Sequence, residues 1–136
     1  MRNAFVDTNI LVYAADESID ASRKRIIARE LLRTPALRIS VQVLNEFIAS
    51  ARNPAKLDLS REAETDWIKG WLRMSVAPLT LALFVEAIRI HQAYQLSHWD
   101  SLIVATALSL NCPVLYSEDM QHGQIIEGME IINPFQ

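Results

Sequence analysis

Short apolar segments alternate along this chain with longer amphipathic ones, and no other sequence feature limits the fold as strongly. Residues 4–6, 37–39, 76–79, 114–116 and 129–132 have the length of short strands. Helices are predicted over residues 21–33, 60–73 and 98–110, after the caps Ser40 and Thr80, and in a short segment following Asp7. Such alternation builds parallel β-α units around a covered sheet. The sequence therefore predicts an α/β fold, a single-domain α/β/α sandwich with a central, mainly parallel sheet.

Length and composition predict one folded domain over residues 1–136. Half of the chain is hydrophobic (51%), with only 3 glycines and 5 prolines, which argues against disorder and low-complexity sequence. The single cysteine, Cys112, excludes an intramolecular disulfide and a zinc site built on cysteine pairs. An acid interrupts the first apolar run too early for a signal-peptide core, and the longest apolar stretch, residues 102–110, is too short to span a membrane. We therefore expect a cytoplasmic protein with no membrane segment.

Four acids stand out because their neighbours are apolar or because they follow a strand. Asp7 and Asp119 come after predicted strands, whereas Glu46 and Asp100 lie within predicted helices. Each has an ordinary structural explanation, such as a helix cap for Asp7 or a capping box formed by Ser97 and Asp100. However, the four come from separate segments, and an α/β sheet can bring such segments to one edge. The combination favours a shared site.

A cluster of carboxylates needs a cation, because like charges at short range oppose one another's ionisation. Oxygen ligands without a Cys/His set select Mg²⁺ or Mn²⁺ over zinc. Mg²⁺ commonly binds one or two carboxylates together with phosphate oxygens of a substrate. The pattern therefore indicates phosphoryl or phosphodiester chemistry.

Four stretches, in order along the chain, resemble the motifs of PIN-domain nucleases, particularly the VapC-type toxins of bacterial toxin–antitoxin pairs. They are residues 5–13 (FVDTNILVY), 43–47 (VLNEF), 99–107 (WDSLIVATA) and 115–123 (LYSEDMQHG). The resemblance implies a PIN-like fold. It also implies an acidic constellation of Asp7, Glu46, Asp100 and Asp119, with Thr8, Asn9 and Ser117 as polar support. Glu118, beside Asp119, is the second choice for the fourth acid.

The residues and the resemblance together predict a metal-dependent endoribonuclease. One Mg²⁺ or Mn²⁺ ion, or two during turnover, would be held by Asp7, Asp100 and Asp119, with Glu46 acting directly or through water. Water activated by the metal would attack the RNA phosphodiester and leave a 5′-phosphate. The alternative hypothesis is an inactive PIN-like module that binds RNA or protein without cutting.

RNA, a second copy of the chain and an antitoxin are the expected partners. The net charge of −3 disfavours a broad basic surface, so local positive charge must contact phosphate. The candidate RNA contacts are Arg23, Arg25, Arg29, Arg52 and Lys56, whose alternative role is an ordinary solvated surface. The resemblance implies a homodimer and a small antitoxin that places a basic side chain among the carboxylates. Trp67 and Trp71 are candidates for an antitoxin groove or, alternatively, for the core.

Overall fold

Strands and helices alternate through most of the chain. The computed structural model describes residues 3–136, so Met1 and Arg2 of the predicted domain lie outside the described residues. The strands are β1 (Ala4–Val6), β2 (Leu37–Ser40), β3 (Ser75–Ala77), β4 (Val114–Tyr116), β5 (Ile125–Ile126) and β6 (Met129–Ile132). The helices are α1 (Thr8–Ala15), α2 (Ser22–Leu31), α3 (Val41–Ala51), α4 (Arg61–Trp71), α5 (Leu81–Tyr94) and α6 (His98–Ser109). The described elements follow the predicted order.

The strands form one sheet in the order β3-β2-β1-β4-β6-β5. Every neighbouring pair is parallel except β5 and β6, which run antiparallel. In the described chain this sheet is flanked by six helices, which confirms the predicted α/β fold with a mainly parallel sheet. The proline-containing segment forms an edge strand as predicted, although β3 ends at Ala77, directly before Pro78.

The strand β5 was not expected from the sequence. It is two residues long and pairs with β6 through Ile126 and Met129. The turn between them consists of Glu127 and Gly128, which have φ values of 49° and 88°. Two consecutive left-handed residues are typical of the tight turns that join antiparallel strands. A two-residue strand is too short to show a hydrophobic period, so only the turn could have indicated it.

The centre of the sheet lies within the buried core. Phe5 and Val6 of β1 and Leu115 of β4 are fully buried. Residues 101–107 of α6 are buried on every side, which explains why this helix is apolar around its circumference. The polar residues that follow β1 and β4 therefore extend from a buried region of the core.

Side-chain caps define where several helices begin. The hydroxyl oxygens of Ser40, Thr80 and Ser97 each accept a backbone N–H from the first turn of α3, α5 and α6, as the sequence predicts. Within residues 3–136, no helix is both long enough and apolar enough to cross a membrane. Cys112 is buried and forms no disulfide.

Candidate active site

Asp7 directly follows the central strand β1 and caps α1. Its Oδ1 accepts the backbone N–H of Thr8 at 2.7 Å, and its Oδ2 accepts the hydroxyl of Ser117 at 2.8 Å. The backbone N–H of Asp7 donates to the Tyr116 carbonyl at 2.9 Å, which ties the ends of β1 and β4 together. The predicted cap is confirmed, and the same side chain also lines a pocket.

Burial makes Asp7 an unusual carboxyl group. Only 4% of the residue is exposed, and burial raises its pKa from an ordinary 3.8 to about 7. The hydrogen bonds from Ser117 and Thr8 work in the opposite direction, and the negative charges of Asp119 and Glu46 add to the increase. The other carboxylates are therefore close enough to Asp7 to affect its ionisation.

Glu46 projects from α3 and is held by two neutral donors. The Thr8 hydroxyl donates to Oε1 at 2.6 Å, and the Gln42 amide donates to Oε2 at 3.2 Å. Gln42 is almost completely buried, and its amide also donates to the backbone carbonyl of Trp99 at 3.0 Å. Gln42 was not among the residues predicted from the sequence. Its position four residues before Glu46, on the same helix face, was the available indication.

Asp119 lies in the turn after β4. Its Oδ2 accepts the side-chain amide of Asn9 at 3.0 Å, and its backbone N–H donates to the Ser117 hydroxyl at 3.2 Å. The neighbouring Glu118 also faces the pocket, but its carboxylate accepts hydrogen bonds from Tyr13 and Lys24. This difference in partners favours Asp119 over Glu118 as the fourth acid.

Asp100 occupies the first turn of α6. Its backbone N–H donates to the hydroxyl of Ser97 at 3.1 Å, which forms one half of the predicted capping box. Partial burial raises the pKa of Asp100, and the charges of Asp119 and Glu46 raise it further. Asp100 is therefore close enough to the other acids to form part of one electrostatic cluster.

One open cavity of about 790 Å³ brings the predicted acids together. Its wall includes Asp7, Glu46, Asp100 and Asp119, together with Thr8 and Asn9. Ser117 stands behind Asp7 and is fully buried. Six of the seven predicted acidic and supporting residues thus line this cavity, and the seventh, Ser117, donates a hydrogen bond to Asp7.

The donor chemistry of this cavity fits a hard divalent cation. Within residues 3–136, no group of three or more His, Cys, Asp and Glu side chains is arranged to hold a metal ion. Mg²⁺ does not need such a group, because it keeps several waters and binds through one or two carboxylates. Burial, together with repulsion from the other acids, raises the pKa values of Asp7 and Asp100, and an ion at this position would offset both effects.

The predicted RNA contacts divide into two groups. Lys56 is the one basic residue on the wall of the cavity as the described residues form it, whereas the four arginines are not part of that wall. The arginines donate instead to acceptors within the chain. These are the carbonyls of Phe135, Asp16 and Ala14 for Arg23, Arg25 and Arg29, and the Glu64 carboxylate for Arg52.

The two candidate groove tryptophans pack together on α4. Their rings stack with centroids 5.3 Å apart, and Trp71 also meets the ring of Phe47 edge-on at 5.6 Å. Trp71 is buried and Trp67 is partly buried. Of the two interpretations offered by the sequence, this arrangement favours the core role for Trp71.

Comparison with known proteins identifies the family. The PIN domain family model matches residues 4–125. No curated protein sequence matches the chain significantly. Among solved structures, the chain is similar to a toxin–antitoxin complex from Klebsiella pneumoniae, with 22% identity, coverage of 97% of this chain and 98% of that chain, and a TM-score of 0.71.

Two further structures share the fold. DNA-bound VapBC from Salmonella typhimurium has 20% identity, coverage of 96% of this chain and 97% of that chain, and a TM-score of 0.68. Mycobacterium tuberculosis VapC20, a toxin that cleaves the sarcin–ricin loop, has 17% identity, coverage of 83% and 87%, and a TM-score of 0.65. The structural neighbours include VapC toxins, and the match to the family model spans most of the sequence. The chain belongs to the PIN domain family.

Proposed function

We propose that this protein is a Mg²⁺- or Mn²⁺-dependent endoribonuclease and the toxin of a toxin–antitoxin pair. The observation that carries this proposal is the cavity into which Asp7, Glu46, Asp100 and Asp119 project from four separate parts of the chain. A cluster of carboxylates, one of them buried, destabilises the folded protein unless a cation balances the charge. A hard cation in this cavity would at the same time bind phosphate oxygens of RNA.

The roles of the side chains follow from their contacts. Asp7, Asp100 and Asp119 would hold the ion, some of them through its bound waters, with Glu46 acting directly or through water. The bound ion would supply an activated water and would neutralise charge on the phosphate. Ser117 and the Thr8 N–H orient Asp7, the Thr8 hydroxyl and Gln42 orient Glu46, and Asn9 orients Asp119. These donors hold the carboxylate oxygens ready for use before substrate arrives.

The proposed chemistry needs no nucleophile from the protein. Attack by water leaves a 5′-phosphate and does not use the RNA 2′-hydroxyl. Lys56, on the cavity wall, is the best placed of the predicted RNA contacts to meet a phosphate close to the carboxylates. The other predicted RNA contacts are the arginines Arg23, Arg25, Arg29 and Arg52. They would bind phosphate either by exchanging their present acceptors for it or while keeping those acceptors.

Two protein partners complete the proposal. A second copy of the chain would cover the outer face of α5, where Leu81, Phe84, Val85 and Ile88 are exposed. An antitoxin would place a basic side chain among the carboxylates, because an acidic cavity attracts such a group strongly. We place this assembly in the cytoplasm and assign residues 1–136 to one nuclease domain.

Mapping RNA 5′ ends after brief expression tests the function and separates it from the binding-module alternative. Wild type and the control Asp66→Asn, an exposed acid on α4, should create the same new 5′-phosphate ends. Asp7→Asn should create none while remaining folded. New ends in all three samples, or in none, would contradict the proposed nuclease. The absence of cleavage by wild type would favour an inactive binding module.

A further inference from the structure

Glu118 is tied to two side chains that have no assigned role in the proposed nuclease. The Tyr13 hydroxyl donates to Glu118 Oε1 at 2.7 Å, and the Lys24 ammonium forms an ion pair with Oε2. Lys24 also donates to the Tyr13 hydroxyl at 3.2 Å, which closes a triangle of contacts. We refer to these three residues as the Glu118 anchor. It joins α1, α2 and the turn after β4 at the edge of the acidic cavity.

Packing against the C-terminal segment supports the Glu118 anchor. The Tyr13 ring meets the ring of Phe135 edge-on, with centroids 5.0 Å apart. The Lys24 ammonium lies 4.8 Å from the Tyr13 centroid and 5.6 Å from the Phe135 centroid. Phe135 is itself buried, and its carbonyl accepts a hydrogen bond from Arg23. Lys24 is therefore constrained by aromatic faces as well as by its ion pair.

The Glu118 anchor connects to the carboxylate of Asp119 through Asn9. The backbone N–H of Glu118 donates to Asn9 Oδ1 at 3.2 Å, and the Asn9 amide donates to Asp119 Oδ2 at 3.0 Å. Asp119 lies outside regular secondary structure and is exposed. Its position therefore depends on local hydrogen bonds rather than on a helix or strand. A change at Glu118 would move both the backbone of this turn and the N–H donor that orients Asn9.

We propose that Tyr13 and Lys24 are positioning residues that act through Glu118 and Asn9 to hold Asp119 in place for metal binding. In this arrangement Glu118 is a tether, because the Lys24 ammonium already balances its charge, whereas Asp119 accepts a neutral amide from Asn9 and is the ligand. The inference rests on the proposed function, since it assigns Asp119 to a metal. It gives roles to Tyr13 and Lys24, and it divides the work between the adjacent acids Glu118 and Asp119, beyond the acidic constellation itself.

Calorimetric titration of the purified protein with Mg²⁺ tests the proposal. Lys24→Met removes the charge but keeps the aliphatic stem, and it should weaken Mg²⁺ binding about tenfold, as loss of a residue supporting a metal ligand typically does. Lys24→Arg should restore most of the affinity. Tyr13→Phe, which removes one hydrogen-bond donor, should weaken binding about threefold. The matched control is Lys69→Met on α4, which should bind Mg²⁺ like wild type.

A second measurement reports the Glu118 anchor without any metal. The side-chain amide signals of Asn9 in ¹H–¹⁵N NMR spectra should shift in metal-free Lys24→Met and remain unchanged in Lys69→Met. A purely structural role for Lys24 would lower the melting temperature and leave both the Mg²⁺ affinity and the Asn9 signals as in wild type. That result would overturn the proposal.

Glu118→Gln and Asp119→Asn distinguish the tether from the ligand. Asp119→Asn should weaken Mg²⁺ binding more than Glu118→Gln, whose amide oxygen can still accept from Lys24 while its NH₂ group donates to the Tyr13 hydroxyl. Equal losses would make Glu118 a ligand and would overturn the division of labour. If wild type bound neither Mg²⁺ nor Mn²⁺, the proposed function and the metal role of Asp119 would fail. The Asn9 signals would still show whether the Glu118 anchor fixes Asp119.

Discussion

Replacing Asp7 by asparagine should stabilise the metal-free protein at alkaline pH, although it should abolish the proposed activity. Asparagine keeps the size of the side chain and an oxygen that can accept the Thr8 N–H. Its amide can donate to Ser117, whose hydroxyl oxygen is able to accept. The substitution therefore removes mainly the charge. A carboxylate that destabilises the metal-free protein is expected at a site that binds a cation.

The size and sign of the effect follow from the pKa of Asp7. Burial raises that pKa from 3.8 to about 7, and each pKa unit corresponds to about 1.4 kcal/mol. Because the folded-state pKa lies above the unfolded one, this stability contribution is complete below about pH 4 and is lost as the pH rises through about 7. At pH 8.5, Asp7→Asn should therefore gain about 2 to 4 kcal/mol relative to wild type. At pH 4 the two proteins should differ by less than about 1 kcal/mol.

Urea unfolding in EDTA at pH 4 and pH 8.5 measures both values. Asp66→Asn is the matched control, because Asp66 is exposed on α4, and it should change stability by less than about 0.5 kcal/mol. Saturating Mg²⁺ should then stabilise wild type, since only the folded site binds the ion. It should not stabilise Asp7→Asn, because that variant lacks a carboxylate that holds the ion. If Asp7→Asn were less stable than wild type at pH 8.5, or changed stability equally at both pH values, Asp7 would not have the raised pKa on which this prediction depends.

Three further outcomes are expected. Ser117→Ala removes the hydroxyl that donates to Asp7, so it should raise the pKa of Asp7 further and lower the free energy of unfolding at pH 8.5 by about 1 to 2 kcal/mol. Urea unfolding measures this change, and an unchanged free energy of unfolding would contradict the role of Ser117. Mg²⁺ binding should release more protons at pH 6 than at pH 8.5, because Asp7 must ionise to bind the metal. Calorimetry in buffers of different ionisation enthalpy measures the number of protons released, and equal release at both pH values would exclude Asp7 as the titrating ligand. Val85→Asp on the exposed face of α5 should dissociate the dimer into monomers, as measured by light scattering, without lowering the melting temperature of the monomer. If the variant stayed a dimer of unchanged stability, the interface would lie elsewhere.

Local sequence patterns were sufficient for most of the framework. Apolar runs and the caps Ser40, Thr80 and Ser97 marked the elements because burial and capping act over a few residues. The acids could be selected because parallel strands bring their carboxyl ends to one edge. Asp7 and Asp119 follow neighbouring strands, so topology alone places them close together.

Long-range pairing could not be predicted in the same way. Lys24 and Glu118 are separated by 94 positions, and nothing near either residue in the sequence indicates their ion pair. The same limitation applies to Arg23, whose acceptor is the Phe135 carbonyl at the other end of the chain. Whether a basic side chain is available for RNA depends on such tertiary acceptors. Composition and helical spacing carry no information about them.

Cleavage of purified RNA by the purified protein tests directly whether these carboxylates form a metal-dependent nuclease centre. Wild type with Mg²⁺ should cut a single-stranded RNA and leave 5′-phosphate ends, and EDTA should stop the reaction. Asp66→Asn should cut equally well, whereas Asp7→Asn should not cut under any of these conditions. Cleavage that continues in EDTA, or products ending in 2′,3′-cyclic phosphate, would contradict a metal-dependent nuclease centre built on these carboxylates.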